Sequence, residues 1–255
     1  MRVSRVTSRR LMPVVVAMRL TRRCGSPSGC ASRAASTIAA YIDQTLLRAD
    51  ATGPEIDALV DSALKYRFAA VCVNPVWVHR VALRLERTGI AIASVIDFPL
   101  GASSPAGKAQ AARIAIEDGA TEIDMVIDIG AAKGADWERV AEGVREVVAV
   151  AHDRGVRVKA ILETSLLTPV EIERATRVCS NADVDFVKTS TGFSTRGASV
   201  EDVRLMKSAA GPAVRVKASG GIRTAADARA MIEAGADRIG TSGGVAIVEG
   251  WDAPA

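Results

Sequence analysis

Val184-Asp185-Phe186-Val187-Lys188-Thr189-Ser190-Thr191-Gly192 is a short apolar strand that carries one lysine and opens into a loop of small residues. Lysine is seldom fully buried unless a partner holds it or chemistry uses it. Lys188 is therefore either a solvent-facing residue on an edge strand or a functional group inside a sheet. The choice depends on what surrounds this unit.

The same pattern recurs on both sides. Downstream, a helical stretch over about 200–209 leads to Val214-Arg215-Val216-Lys217-Ala218 and then Ser219-Gly220-Gly221. Upstream, Val156-Arg157-Val158-Lys159-Ala160 is nearly the same strand 58 positions earlier. Ile116-Glu117-Asp118-Gly119-Ala120 likewise returns as Ile232-Glu233-Ala234-Gly235-Ala236, 116 positions later. Both separations are multiples of 29, the length of one strand-helix unit.

Read in full, the chain from residue 37 alternates strand and helix throughout. Strands are expected at 38–42, 69–73, 90–96, 122–127, 157–162, 184–188, 214–218 and 238–241. Pro54 opens a helix whose apolar positions Ile56, Leu59, Val60, Ala63 and Leu64 follow the 3.6-residue period. Strict alternation implies a parallel sheet. Eight units predict an α/β protein formed of a single (β/α)₈ TIM barrel with parallel strands, over residues 37–255. An open doubly wound sheet is the alternative, but no G-x-G-x-x-G follows the first strand. Aromatic residues make up only 4% of the chain, so the core must be aliphatic, as in sheets covered on both faces.

The net charge of +4 is a property of one segment. Residues 1–42 hold eight arginines and no acid, and without them the rest of the chain stands at −4. No basic, aromatic-interleaved surface remains to bind nucleic acid. Residues 1–36 read as a basic extension outside the folded unit. A transit peptide, a disordered arm or a start site further along at Met12 or Met18 would each produce it. Cys24, Cys30, Cys72 and Cys179 have no zinc-ligand spacing backed by histidines, so no metal is expected and a reduced, cytoplasmic setting is. No apolar run approaches the ~20 residues of a membrane span. His79 and His152 fall on helix surfaces, which leaves no histidine-based site.

Catalytic groups of such a barrel stand at the C-terminal ends of its strands. Lys188 and Lys217 occupy matching places on neighbouring strands, which lie ~4.8 Å apart. Two ammonium groups in one low-dielectric interior disfavour each other's charge. One of them becomes partly neutral, as Schiff-base formation requires. Asp124, if it faces inward, keeps the other charged and accepts protons. Interior ion pairs with a purely structural role satisfy the same spacing. Thr191-Gly192, Gly220-Gly221 and Ser242-Gly243 follow strands six, seven and eight, where small residues let amides approach an anion. Ordinary turn chemistry uses the same residues. Asp43, at the end of the first strand, and Cys72, near the end of the second, are further candidates for substrate contact.

These stretches resemble the deoxyribose-phosphate aldolase family over residues 38–250. The resemblance rests on Ile42-Asp43-Gln44-Thr45-Leu46-Leu47, Val71-Cys72-Val73-Asn74-Pro75, Phe98-Pro99-Leu100-Gly101, Glu122–Ile127 and Ile161-Leu162-Glu163-Thr164. It rests above all on Phe186–Phe193 and Val216–Arg223. It implies a class I lyase without cofactor, a phosphorylated sugar as substrate, and a homodimer. It puts the Schiff base on Lys188 and proton transfer on Lys217 and Asp124. It places the phosphate on Gly192, Gly220, Gly221, Ser242 and Gly243. Gln44 stands where the family usually has His, and Asp128 where many members have Asn. Asp128 is expected to weaken phosphate attraction at the mouth. Another lysine-dependent phosphosugar aldolase, or a silent phosphosugar-binding barrel, is the rival reading.

Overall fold

The structure is a computed structural model that describes residues 38–252. The expectations for residues 1–36 and for the last residues of the chain lie outside that range.

Eight strands form one closed, all-parallel barrel in sequential order. They are β1 Ile42–Leu46, β2 Ala70–Val73, β3 Ala91–Ile96, β4 Glu122–Val126, β5 Arg157–Ile161, β6 Phe186–Lys188, β7 Arg215–Ser219 and β8 Arg238–Thr241. The connecting helices are α1 Gly53–Tyr66, α2 Val78–Leu85, α3 Pro105–Glu117, α4 Ile129–Lys133, α5 Trp137–His152, α6 Pro169–Asn181, α7 Val200–Ala209, α8 Ala225–Glu233 and α9 Gly244–Glu249. Local sequence accounts for where the helices begin. Thr168 and Thr224 cap α6 and α8 in reciprocal boxes with Glu171 and Asp227, and proline fills the first turn of α1, α3 and α6.

One expectation is corrected. Ile38 and Ala39 belong to a helical turn, and the first strand starts at Ile42. Ile38 is buried against the barrel's outer core, so its apolarity reflects packing and not strand pairing. Asp43 therefore sits near the beginning of β1, low in the barrel. The short helices α4 and α9 were not foreseen, because five or six residues are too few to show a period.

Alternation along each strand divides the core in two. Outward residues such as Ile123, Met125, Val158, Ala160, Val187 and Val216 join the helices in one aliphatic layer. Inward residues fill the barrel unevenly. On the β1–β3 side they are apolar apart from Asp43: Leu47, Cys72, Ala93 and Val95. On the β4–β8 side they are charged: Glu122, Asp124, Lys159, Lys188, Lys217 and Arg238, all buried. Phe186 floors this half, with the Arg215 guanidinium 4.0 Å and that of Arg238 5.8 Å from its ring centre.

Candidate active site

The register of the sheet builds the site. Lys188 on β6 lies directly opposite Lys217 on β7, and Asp124 on β4 is opposite Lys159 on β5. Both reactive-looking lysines end on one oxygen. Lys188 Nζ and Lys217 Nζ each donate to Asp124 Oδ2 at 2.8 Å. Lys159 Nζ donates to the other oxygen, Oδ1, at 2.6 Å and lies 2.5 Å from Glu122. Arg238 Nε donates to Asp43 Oδ1 at 2.7 Å, and Lys217 Nζ lies 2.6 Å from Asp43 Oδ2 in an ion pair without hydrogen-bond geometry.

Four buried basic groups, Lys159, Lys188, Lys217 and Arg238, thus face three buried carboxylates, Asp43, Glu122 and Asp124. The cations exceed the anions by one, and the geometry selects which one gives way. Lys217 touches two carboxylates, whereas Lys188 touches only Asp124 among the described residues. Burial holds the Lys188 ammonium below the ordinary lysine value, and the neighbouring Lys217 charge adds to this against the pull of Asp124. Burial also acts on Lys217, but Asp124 and Asp43 outweigh it and leave that lysine above its ordinary value. Lys159, Lys188 and Lys217 overcome the burial of Asp124 and keep it well below the carboxylate range. The charge of Lys188 is disfavoured, that of its neighbour is favoured, and an ionised carboxylate joins them.

Lys188 also lines a cavity of about 330 Å³ that opens at the C-terminal end of the barrel. Its wall includes Thr191, Gly192, Gly220, Gly221 and Ser242. Among the described residues, the amides of Gly192, Gly220, Gly221 and Ser242 donate to no protein oxygen. Gly192, Gly220 and Gly221 have φ between 80° and 86°, a conformation that favours glycine. Arg48 and Arg223 stand at the rim. A buried lysine thus stands at the base of a small pocket whose mouth presents free amides and the Arg223 cation, an arrangement suited to an aldehyde with an anionic far end.

A family model for the DeoC/LacD family aldolases matches residues 37–250. The chain belongs to this family. The aldolase is 55% identical over 215 residues to deoxyribose-phosphate aldolase of Thermococcus kodakarensis, covering 84% of this chain and 96% of that one. It is 50% identical over 210 residues to the enzyme of the same name from Lactococcus lactis subsp. cremoris, covering 82% and 94%. Among solved structures, the tetrameric deoxyribose phosphate aldolase of Aeropyrum pernix superposes with a TM-score of 0.80 at 34% identity, covering 90% of this chain and 99% of that one.

The remaining candidate residues of the aldolase fall in different places. Asp43 is fully buried behind Lys217 and does not line the cavity. Cys72 is also outside the cavity wall, its Sγ 4.0 Å from Asp124 Oδ2. Burial and the Asp124 charge push its thiol up, so it stays protonated at neutral pH. Thr191 lines the cavity, but its N–H and hydroxyl both turn to Glu163. Gly243 donates its amide to Thr241 Oγ1 at 2.8 Å and is absent from the wall. His79 and His152 are exposed, as expected.

The aldolase's two departures from family pattern also find their places. Gln44 Oε1 accepts the amide of Gly244 at 3.1 Å, and its Nε2 donates to the Ser242 carbonyl at 3.4 Å, so the side chain ties β1 to the β8 loop. Asp128 caps α4 through Ala131 N at 2.9 Å and pairs with Arg139 at 2.7 Å. Asp128 does not line the cavity. The sequence reading missed Arg48, one residue beyond a stretch it used, and Gly240. A Cβ at Gly240 would lie 2.9 Å from Lys217 Cε, so only glycine leaves room for that side chain.

Proposed function

We propose that this aldolase cleaves 2-deoxy-D-ribose 5-phosphate to acetaldehyde and glyceraldehyde 3-phosphate, reversibly, through a Schiff base on Lys188. The observation that carries the reading is the shared oxygen. Lys188 and Lys217 converge on Asp124 Oδ2 at the base of a cavity with free amides at its mouth.

The Lys188 Nζ lone pair adds to the C1 aldehyde of the open-chain sugar, and loss of water gives a protonated imine. Asp124, with the Lys217 ammonium beside it, takes the proton of the C3 hydroxyl. The C2–C3 bond breaks, C3 becomes the aldehyde of the departing triose phosphate, and the electron pair passes through C2 to the iminium nitrogen as an enamine. Protonation at C2 and hydrolysis release acetaldehyde and restore the amine. Leu46 and Leu47 give the cavity an apolar wall. The amides of Gly192, Gly220, Gly221 and Ser242, with Arg48 and Arg223, would hold the phosphate. The reaction belongs to the breakdown of deoxyribose phosphates.

Borohydride added during turnover should fix a stable mass increase on the peptide carrying Lys188. Acetaldehyde should give the adduct and dihydroxyacetone phosphate should not. Adduct from the latter alone would favour a different phosphosugar aldolase, and no adduct from either would favour a silent binding barrel. Lys217→Leu tests the second role. It removes a cation that disfavours Lys188 ammonium and leaves Asp124 to act on Lys188 more strongly. The Lys188 proton is then held to higher pH. Turnover at pH 7 should fall by about 10²-fold, and the acidic limb of the rate profile should move to higher pH. An unmoved limb would remove Lys217 from that role.

A further inference from the structure

Glu163 is a buried carboxylate that the mechanism above does not use. It is 2% exposed, follows β5 and has φ 55°, a left-handed conformation unusual for a residue with a side chain. Among the described residues no basic group pairs with it within ion-pair distance. Its oxygens are instead given to the loop after β6. Glu163 Oε2 accepts the Thr191 amide at 3.2 Å and also the Thr191 hydroxyl, while Oε1 accepts Ser165 Oγ at 3.4 Å. The Thr191 hydroxyl in turn accepts the amide of Phe193 at 3.0 Å. The loop is thereby wound around the Thr191 side chain, and Gly192, between the two amides so tied, is left on the cavity wall with its own amide free.

The backbone on either side of Glu163 is anchored to the strand of the nucleophile. Leu162 N donates to the Lys188 carbonyl at 2.9 Å, and Thr164 N donates to the Thr189 carbonyl at 3.0 Å. The strained backbone at Glu163 thus places its carboxylate at a fixed distance from the start of the β6 loop. A carboxylate beside an anion site is costly unless it does something there, because its own charge opposes the anion. Here it takes up donors that would otherwise compete with Gly192 for shape and direction.

We propose that Glu163 is a positioning residue for substrate recognition: it holds Thr191 so that the Gly192 amide faces the phosphate end of the substrate. This rests on the phosphosugar reading of the same cavity. It assigns Glu163 a role in binding the phosphorylated end and none in imine chemistry.

The test compares 2-deoxyribose 5-phosphate with unphosphorylated 2-deoxyribose in wild type, Glu163→Ala and Glu163→Gln. In Glu163→Ala, KM for the phosphorylated sugar should rise by about tenfold, since a Gly192 amide turned away forfeits one charge-assisted hydrogen bond to the phosphate. Its kcat should stay within about threefold, and kcat/KM for the unphosphorylated sugar within about twofold. Glu163→Gln keeps one acceptor and should recover most of the KM. Equal losses on both sugars would show a general structural brace, and no loss on either would show an idle side chain; each overturns the proposal. If Glu163→Ala does not fold, the Gln variant decides by the same comparison, with an expected rise of about threefold confined to the phosphorylated sugar. Failure of the cavity reading itself is seen separately, as a wild type that does not distinguish the two sugars.

Discussion

Lys188→Met should abolish turnover, by on the order of 10⁴-fold or more, and yet leave a protein at least as stable as the wild type. The two halves of this result have one cause. Methionine has the length and apolar stem of lysine but no amine, so no imine forms. For stability, the sign follows from the direction of the shift. Burial holds the folded-state value of Lys188 below the ordinary 10.5, so the fold disfavours its protonated form. Wild-type stability therefore rises with pH from the folded value up to the unfolded one, and at neutral pH the ammonium opposes folding. Removing it also removes the surplus cation, while Asp124 keeps Lys159 and Lys217. Apolar replacements of buried charges are often neutral or stabilising by about 1–4 kcal/mol. Lys188→Arg is the contrasting control. It retains the charge, cannot lose its proton, and should be equally inactive without the gain in stability. Turnover measured beside urea midpoints decides the matter. A Lys188→Met variant that turns over within tenfold of wild type, or unfolds far more easily, would contradict the assignment.

The barrel could be read from the sequence because β-α alternation is a one-dimensional signal, carried by every strand and helix start. Helix α7 has the expected bounds because Ser199 caps it through its own side chain. The error at β1 has a physical reason: Ile38–Ile42 is apolar along its length, and an apolar run alone does not separate a buried turn from a strand. The convergence of Lys188, Lys217 and Asp124 was legible because they are odd residues in apolar strands, and charge inside a barrel needs an explanation. Their stoichiometry was not. That Asp43, Glu122, Lys159 and Arg238 belong to the same network depends on register across six strands, which periodicity within one strand does not specify. The loops with free amides were partly legible. Glycine marks where amides can be free, but where the Thr191 hydroxyl turns is set by a carboxylate 28 residues away in sequence.

Asp124→Asn should separate imine formation from turnover, and it should cost stability where Lys188→Met does not. Asp124 is the shared anion of three buried lysines, with Lys159 on Oδ1 and Lys188 and Lys217 on Oδ2. An asparagine of the same shape leaves them facing a neutral amide. Lys159 and Lys217 retain Glu122 and Asp43, but Lys188 loses its one anion. Lys188 then gives up its proton more readily, so borohydride trapping with acetaldehyde should persist. Turnover should fall by about 10²–10⁴-fold, because the group that moves the C3 hydroxyl proton is gone. Breaking a buried ion pair by removing one partner costs about 3–5 kcal/mol, and the urea midpoint at pH 7 should drop accordingly. The acid side checks the cause. The folded-state value of Asp124 is depressed below the ordinary 3.8, so its contribution is complete above that pH and is lost as pH falls toward the folded value. The gap between wild type and Asp124→Asn should therefore hold steady from neutral pH down to about pH 5 and narrow below about pH 4. A gap independent of pH into strong acid would mean that the lost stability is packing and not charge, and loss of trapping along with turnover would place Asp124 in the imine step itself.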